Sequence, residues 1–123
     1  MGKTVLVVDD SSTMRQMVAY TLTNAGYEVV EAGNGKEAVG KLNGGAKPAL
    51  VVTDLNMPEM DGITLITEIR KMAAFKFTPI LMLTTESADD KKKAGQAAGA
   101  TGWIVKPFNP EQMLKVIQKV LPA

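Results

Sequence analysis

Short apolar runs alternate with segments of helical period five times along the chain. The runs cover residues 4–8, 27–32, 49–53, 79–83 and 102–105, and their length and β-branched content predict strands. Several, such as Val5-Leu6-Val7-Val8 and Ala49-Leu50-Val51-Val52, are apolar throughout, which predicts strands covered on both faces. Strand and helix in strict alternation predict repeated βα units and a five-stranded parallel sheet, an α/β fold with helices on both faces. Between the runs, Met14, Met17, Val18, Leu22 and Ala25 fall on one helical stripe that stops at Gly26. Asn34 and Glu37 have capping-box spacing ahead of Ala38, Val39 and Leu42. Ile63, Ile66 and Ile69 mark a third helix, and Ser87 with Asp90 starts a fourth. Asn109-Pro110-Glu111-Gln112 is the clearest start signal, with Met113, Leu114, Ile117, Val120 and Leu121 as the buried face behind it.

The fourth helix is the weakest. Its expected inner residues Ala94, Ala97 and Ala98 are small, Gly95 interrupts them, and Lys91-Lys92-Lys93 lie outside. Burial returns about 25 cal/mol per Å², so this element is expected to be weakly anchored and mobile.

Composition narrows the picture. The 123 residues fit one domain, 1–123, with no linker, repeat or output domain expected. A net charge of +1 provides no electrostatic basis for nucleic acid or an anionic membrane as main partner, and no apolar run is long enough to span a bilayer. No signal peptide is expected ahead of the first strand. The chain has no cysteine and no histidine. Disulfides, thiolate chemistry, histidine acid–base work and most zinc or copper sites are thereby excluded. Chemistry must run on carboxylates, hydroxyls and lysines.

Such side chains gather at one end of the predicted strands. Asp9 and Asp10 follow the first, Asp54 ends the third, Thr84 the fourth and Lys106 the fifth. In a parallel sheet of order 2-1-3-4-5, ligands bind beyond the carboxyl ends of strands one and three, where strand order reverses. Asp9, Asp10 and Asp54 should converge there. At an effective dielectric near 20, two carboxylates about 4 Å apart repel by roughly 4 kcal/mol. Either one keeps its proton or a cation sits among them. All-oxygen ligands with positions left for water and a phosphoryl oxygen suit Mg²⁺, and Lys106 would add a compact positive charge opposite. A carboxylate beside Mg²⁺, a lysine and a hydroxyl makes a phosphoryl-transfer site with the carboxylate as nucleophile. It needs no general base, in keeping with the absence of histidine. Taken singly, each residue has a plainer reading: an Asp at a strand end is commonly a turn or helix cap, and a Lys before Pro is commonly solvated.

The motifs Val7-Val8-Asp9-Asp10-Ser11, Asp54-Leu55-Asn56-Met57-Pro58 with Asp61-Gly62, Leu83-Thr84 and Lys106-Pro107-Phe108 together resemble the hallmarks of response-regulator receiver domains, over essentially the whole chain. The resemblance implies a flavodoxin-like (βα)5 fold and a cytoplasmic two-component signalling switch. In it Asp54 accepts a phosphoryl group from a histidine kinase, with Mg²⁺ held by Asp9, Asp10, Asp54 and the backbone carbonyl of Asn56. It implies a phosphoacceptor that catalyses its own phosphoryl uptake and hydrolysis rather than an enzyme with a separate substrate. Thr84 becomes the switch hydroxyl, Lys106 the phosphate-binding lysine with a cis bond to Pro107, and Asn56 and Glu86 the residues beside the path of hydrolytic water. Asp10-Ser11-Ser12-Thr13-Met14-Arg15 is most similar to CheY-type chemotaxis regulators. That type implies a monomer with a downstream partner such as a flagellar motor switch component, and a phosphatase as a further partner. Trp103 stands where the family usually has Tyr or Phe, whose ring turns inward on phosphorylation; an indole is larger and carries an N–H to satisfy.

Three rival readings are weaker. Gly33-Asn34-Gly35-Lys36-Glu37-Ala38, with Asp54 about 20 residues on, matches a dinucleotide fingerprint, but it follows the second strand, and a turn plus helix cap accounts for it. Haloacid-dehalogenase-like phosphatases also use an aspartate nucleophile with Mg²⁺, yet their two acidic residues stand one apart, and position 11 here is Ser11. An interaction module that is never phosphorylated would not require the complete acceptor set.

Overall fold

A computed structural model describes residues 3–55, 57, 60–84, 89–105 and 109–121. Five strands alternate with five helices: β1 (Thr4–Val8), α1 (Ser12–Asn24), β2 (Glu28–Ala32), α2 (Gly35–Asn43), β3 (Leu50–Asp54), α3 (Gly62–Lys71), β4 (Ile80–Thr84), α4 (Asp89–Ala98), β5 (Gly102–Val105) and α5 (Pro110–Val120). All strand pairs are parallel and the order is β2-β1-β3-β4-β5, as the βα alternation predicts. The sheet divides the core in two. On one face Leu6, Val8, Val51, Ile80 and Met82 pack against α2, α3 and the inner side of α4. On the other, Val5, Val7, Leu50, Val52, Leu81 and Leu83 pack against α1 and α5. β3 and β4 are buried at every position, which explains why they are apolar up to Thr53 and Asp54 in one and Thr84 in the other, at their carboxyl ends.

The helix starts follow local chemistry. Ser11 caps α1 by accepting from the Met14 N–H at 3.2 Å, and Gly26 leaves the helix at φ +97°. Asn34 accepts from the Glu37 N–H at 2.8 Å, while Glu37 Oε1 accepts from the Gly33 N–H. Asn109 accepts from Glu111 and Gln112 ahead of Pro110. The glycines of the would-be dinucleotide fingerprint thus belong to a turn and helix cap. Asp61, not anticipated as a cap, accepts from the Thr64 N–H at 2.8 Å and starts α3.

Two helix faces differ from expectation. On α1 the inward row is Met14, Val18 and Leu22, spaced by four, whereas Met17 is 51% exposed and Ala25 is also at the surface. A residue three past Met14 falls on the flank of so narrow a contact stripe. Among the residues of α4 whose burial is described, Gly95 is the buried one, and Ala97 faces out. A Cβ at position 95 would stand 2.3 Å from the Met82 Cε, so the glycine lets the helix lie close on β4. Ser87 lies outside the described residues. A 3₁₀ turn, Ala73–Phe75, follows α3 and buries Phe75. Among the described residues no helix is long and apolar enough to cross a membrane.

Candidate functional site

β1 and β3 are neighbours in the sheet, and their register pairs Val8 with Thr53. Asp9 and Asp54 are therefore the next residues along adjacent strands, at the reversal of strand order. The Asp9 N–H still donates to Ala32 O on β2 at 3.1 Å, which holds Asp9 to the sheet. Asp9 is 1% exposed and Asp54 5%, while Asp10 is exposed on the following turn. Ligand oxygens of the three carboxylates all lie within 4.8 Å of one another. Asp9 does not cap α1: its Oδ1 accepts from the Ser11 N–H at 2.9 Å, an Asx turn that fixes the carboxylate, and Ser11 is the cap.

The β3 end is shaped by contact with α3. The Gly62 N–H donates to Leu55 O at 2.8 Å, and the Leu55 N–H to Leu83 O at 3.1 Å. A Cβ on Gly62 would stand 2.4 Å from Asp54 O and 2.9 Å from Leu55 Cα. Only a glycine lets the start of α3 approach the backbone of Asp54 so closely. Thr84, 2% exposed, ends β4 opposite Val105. Trp103 pairs with Met82, two residues before that position, and packs partly buried on the α2–α4 side of the core. Thr84, Met82 and Trp103 share this side by strand alternation. Asn56, Glu86, Lys106 and Pro107 lie outside the described residues.

Arg15 was not singled out for a role in the sequence. Its Nη1 donates to Asp9 O at 2.8 Å and its Nε to Glu31 Oε1 at 3.0 Å, and Lys41 Nζ donates to Glu31 O. The turn bearing Asp9 and Asp10 is thereby tied to β2 and α2. Its sequence signal is faint: an arginine one helical turn past the Ser11 cap, whose partner Glu31 is known only from the sheet register.

Three carboxylates this close repel one another, the buried pair Asp9 and Asp54 more than the exposed Asp10, which water screens. Their hard oxygen donors, two buried and one open to solvent, form a group able to hold a metal ion, and all-oxygen ligation suits a hard divalent cation.

The chain matches the response regulator receiver domain model over residues 5–118. It is 44% identical over 118 residues to chemotaxis protein CheY1 of Helicobacter pylori, covering 95% of each chain. It is 40% identical over 118 residues to the CheY homolog of Campylobacter jejuni, covering 95% of this chain and 91% of that one. Chemotaxis protein CheY4 of Vibrio cholerae, crystallised at low pH, superposes with a TM-score of 0.94 at 51% identity, covering 98% of this chain and 100% of that one. Fold, acidic cluster and sequence agree, and the chain belongs to the response regulator receiver domain family, the phosphorylation-dependent switches of two-component signalling.

Proposed function

We propose that Asp54 takes up the phosphoryl group and that the chain relays a chemotaxis signal. The observation that carries the first part is the meeting of three carboxylate ligands within 4.8 Å at the β1–β3 reversal, with Asp54 on the central strand. Asp9 is held in its Asx turn and Asp10 is exposed on the turn. Asp54, on the strand between β1 and β4, alone has the acidic pair on one side and Thr84 on the other.

The donor is a phosphohistidine of a kinase, necessarily on another chain because this one has no histidine. An Asp54 carboxylate oxygen attacks phosphorus, the P–N bond to the donor imidazole breaks, and an acyl phosphate forms. Asp9, Asp10, Asp54 and the Asn56 backbone carbonyl would hold Mg²⁺, which when bound supplies positive charge to the phosphoryl oxygens. Thr84 donates a hydrogen bond to one of these oxygens and Lys106 pairs with another. Water then attacks the acyl phosphate, inorganic phosphate leaves, and Asp54 returns to the carboxylate; uptake and loss are both assigned to the chain itself, with Asn56 and Glu86, two residues beyond Asp54 and Thr84 in sequence, assigned to the rate of loss.

The chemotaxis reading is drawn from the CheY relatives. On this reading the protein acts in the cytoplasm as a monomer, with a flagellar motor switch component as downstream partner and a phosphatase as a further one. Phosphate becomes a signal through differential affinity of the two states; a 20-fold change in partner binding needs only about 1.8 kcal/mol of coupling.

Asp54→Asn tests the assignment. The near-isosteric variant should fold and gain no phosphoryl group from a kinase or acetyl phosphate, as read by mass spectrometry. Chelation of Mg²⁺ should stop uptake by the wild type. Full phosphorylation of the variant at another residue would overturn the assignment.

A further inference from the structure

The C-terminal end of α4 is held by a side chain from another helix. Gly99 closes α4 at φ +113°, with Ala100 N–H donating to Gly95 O at 2.9 Å and Gly99 N–H to Gln96 O at 3.1 Å, a Schellman turn. The Gly99 carbonyl is gripped by Arg70 of α3, through Nε at 3.1 Å and Nη2 at 2.8 Å. The same guanidinium donates through Nη1 to Phe75 O at 2.9 Å and Thr78 O at 2.6 Å. Among the described residues it thus makes four hydrogen bonds, all to backbone carbonyls, and burial lowers its pKa from the usual guanidinium value. A Cβ at position 99 would stand 2.9 Å from Arg70 Cγ and Nε, so the glycine is required for space as well as for φ. Two more bonds fix the next residue: Thr101 N–H to Ile80 O at 2.7 Å and Ile80 N–H to Thr101 Oγ1 at 3.1 Å.

We propose that Arg70 is a positioning residue of the switch, clamping the Gly99 end of α4 to α3 and to the segment leading into β4, so that a phosphate-driven response of α4 pivots about that end. The planar fork of arginine suits the role because it reaches three carbonyls from fixed directions, which a lysine ammonium on a flexible stem does not. Residues 99–101 run directly into β5, so the clamp also fixes where the Trp103 strand begins. The pivot rests on Asp54 being the phosphoacceptor, while the clamp does not.

Amide exchange and ¹H–¹⁵N spectra of the full chain test both parts. In Arg70→Lys without any ligand, the amides of Gly99, Ala100 and Thr101 should exchange about tenfold faster or more, with β1 and β3 at wild-type protection. Arg70→Gln should behave alike, and the lysine variant decides if it fails to fold. In the wild type with Mg²⁺ and beryllofluoride, shift changes along α4 should be largest toward Asp89 and smallest at Gly99–Thr101. In Arg70→Lys that gradient should flatten. Unchanged exchange at 99–101 in a folded Arg70→Lys overturns the clamp, and wild-type changes as large at Gly99 as at Asp89 overturn the pivot. Absence of bound beryllofluoride by ¹⁹F signal overturns the phosphoacceptor reading and the pivot with it, and the ligand-free exchange still judges the clamp.

Discussion

Gly62 touches the backbone of Asp54 so closely that a single added methyl would stand 2.4 Å from its carbonyl oxygen. Neither side of that contact is a flexible side chain, so Gly62→Ala must move the start of α3 or the end of β3. Gly95 offers a contrast. A Cβ there clashes with the far end of Met82, Sδ at 2.6 Å and Cε at 2.3 Å, which can swing aside, and makes an ordinary contact with Ala100 Cβ at 3.8 Å; alanine also regains about 1 kcal/mol of helix propensity. Gly62→Ala should cost roughly 1–3 kcal/mol and Gly95→Ala less than about 1 kcal/mol, measured by urea unfolding. Equal stabilities for the two variants would contradict this reading of the contacts.

Removing the charge of Asp10 relieves repulsion among three carboxylates whose ligand atoms lie within 4.8 Å. Asp10→Asn should weaken Mg²⁺ binding, followed by titration calorimetry, yet leave the metal-free protein as stable as wild type or more so. A metal-free melting temperature several degrees lower would count against it, since 1 kcal/mol corresponds to about 4 °C for a domain near this size.

Asn56 and Glu86 each stand two residues beyond a site residue, Asp54 and Thr84. A large apolar side chain at either position should shield the acyl phosphate from water and prolong its life. Decay followed by loss of radiolabelled phosphate is expected to slow in Asn56→Met and in Glu86→Leu; wild-type decay in both would exclude the role.

The single tryptophan reports on the switch. Trp103 pairs with Met82 in the sheet and packs on the same core as α3 and the inner side of α4. Phosphate on Asp54 should draw the Thr84 hydroxyl toward a phosphoryl oxygen, because charge-assisted hydrogen bonds are the stronger kind, and open space toward which the indole turns. Emission should shift or change in intensity with Mg²⁺ and beryllofluoride together, fail to respond in Asp54→Asn, and respond weakly in Thr84→Ala. Constant emission with beryllofluoride demonstrably bound would remove Trp103 from the mechanism.

Apolar runs and the five-fold alternation were enough to anticipate the strands, because a strand buried on both faces is apolar along most of its length. The meeting of Asp9 with Asp54 was legible too, but only through topology: strand order, not spacing, carries them to one edge. Faces of the weaker helices were less legible. Met17 fits the period of α1 and yet is exposed, because the stripe touching the sheet is one row wide. Gly95 read as an interruption of α4 and is where a side chain would run into Met82 of β4. A helix that packs through a missing side chain leaves no apolar signal. Arg70 was invisible for a related reason, since backbone carbonyls, its acceptors, have no sequence of their own.

The pairing of β1 with β3 spans α1, β2 and α2, so the acidic cluster does not exist in the unfolded chain. Its repulsion arises only as the long-range strand contact closes, a step whose entropy is set by the intervening loop. A divalent ion held there would stabilise the native chain alone, by about 2.7 kcal/mol at one hundred times its dissociation constant. Resistance to proteolysis should therefore rise with divalent concentration, and rise less in variants that lack one of the three carboxylates.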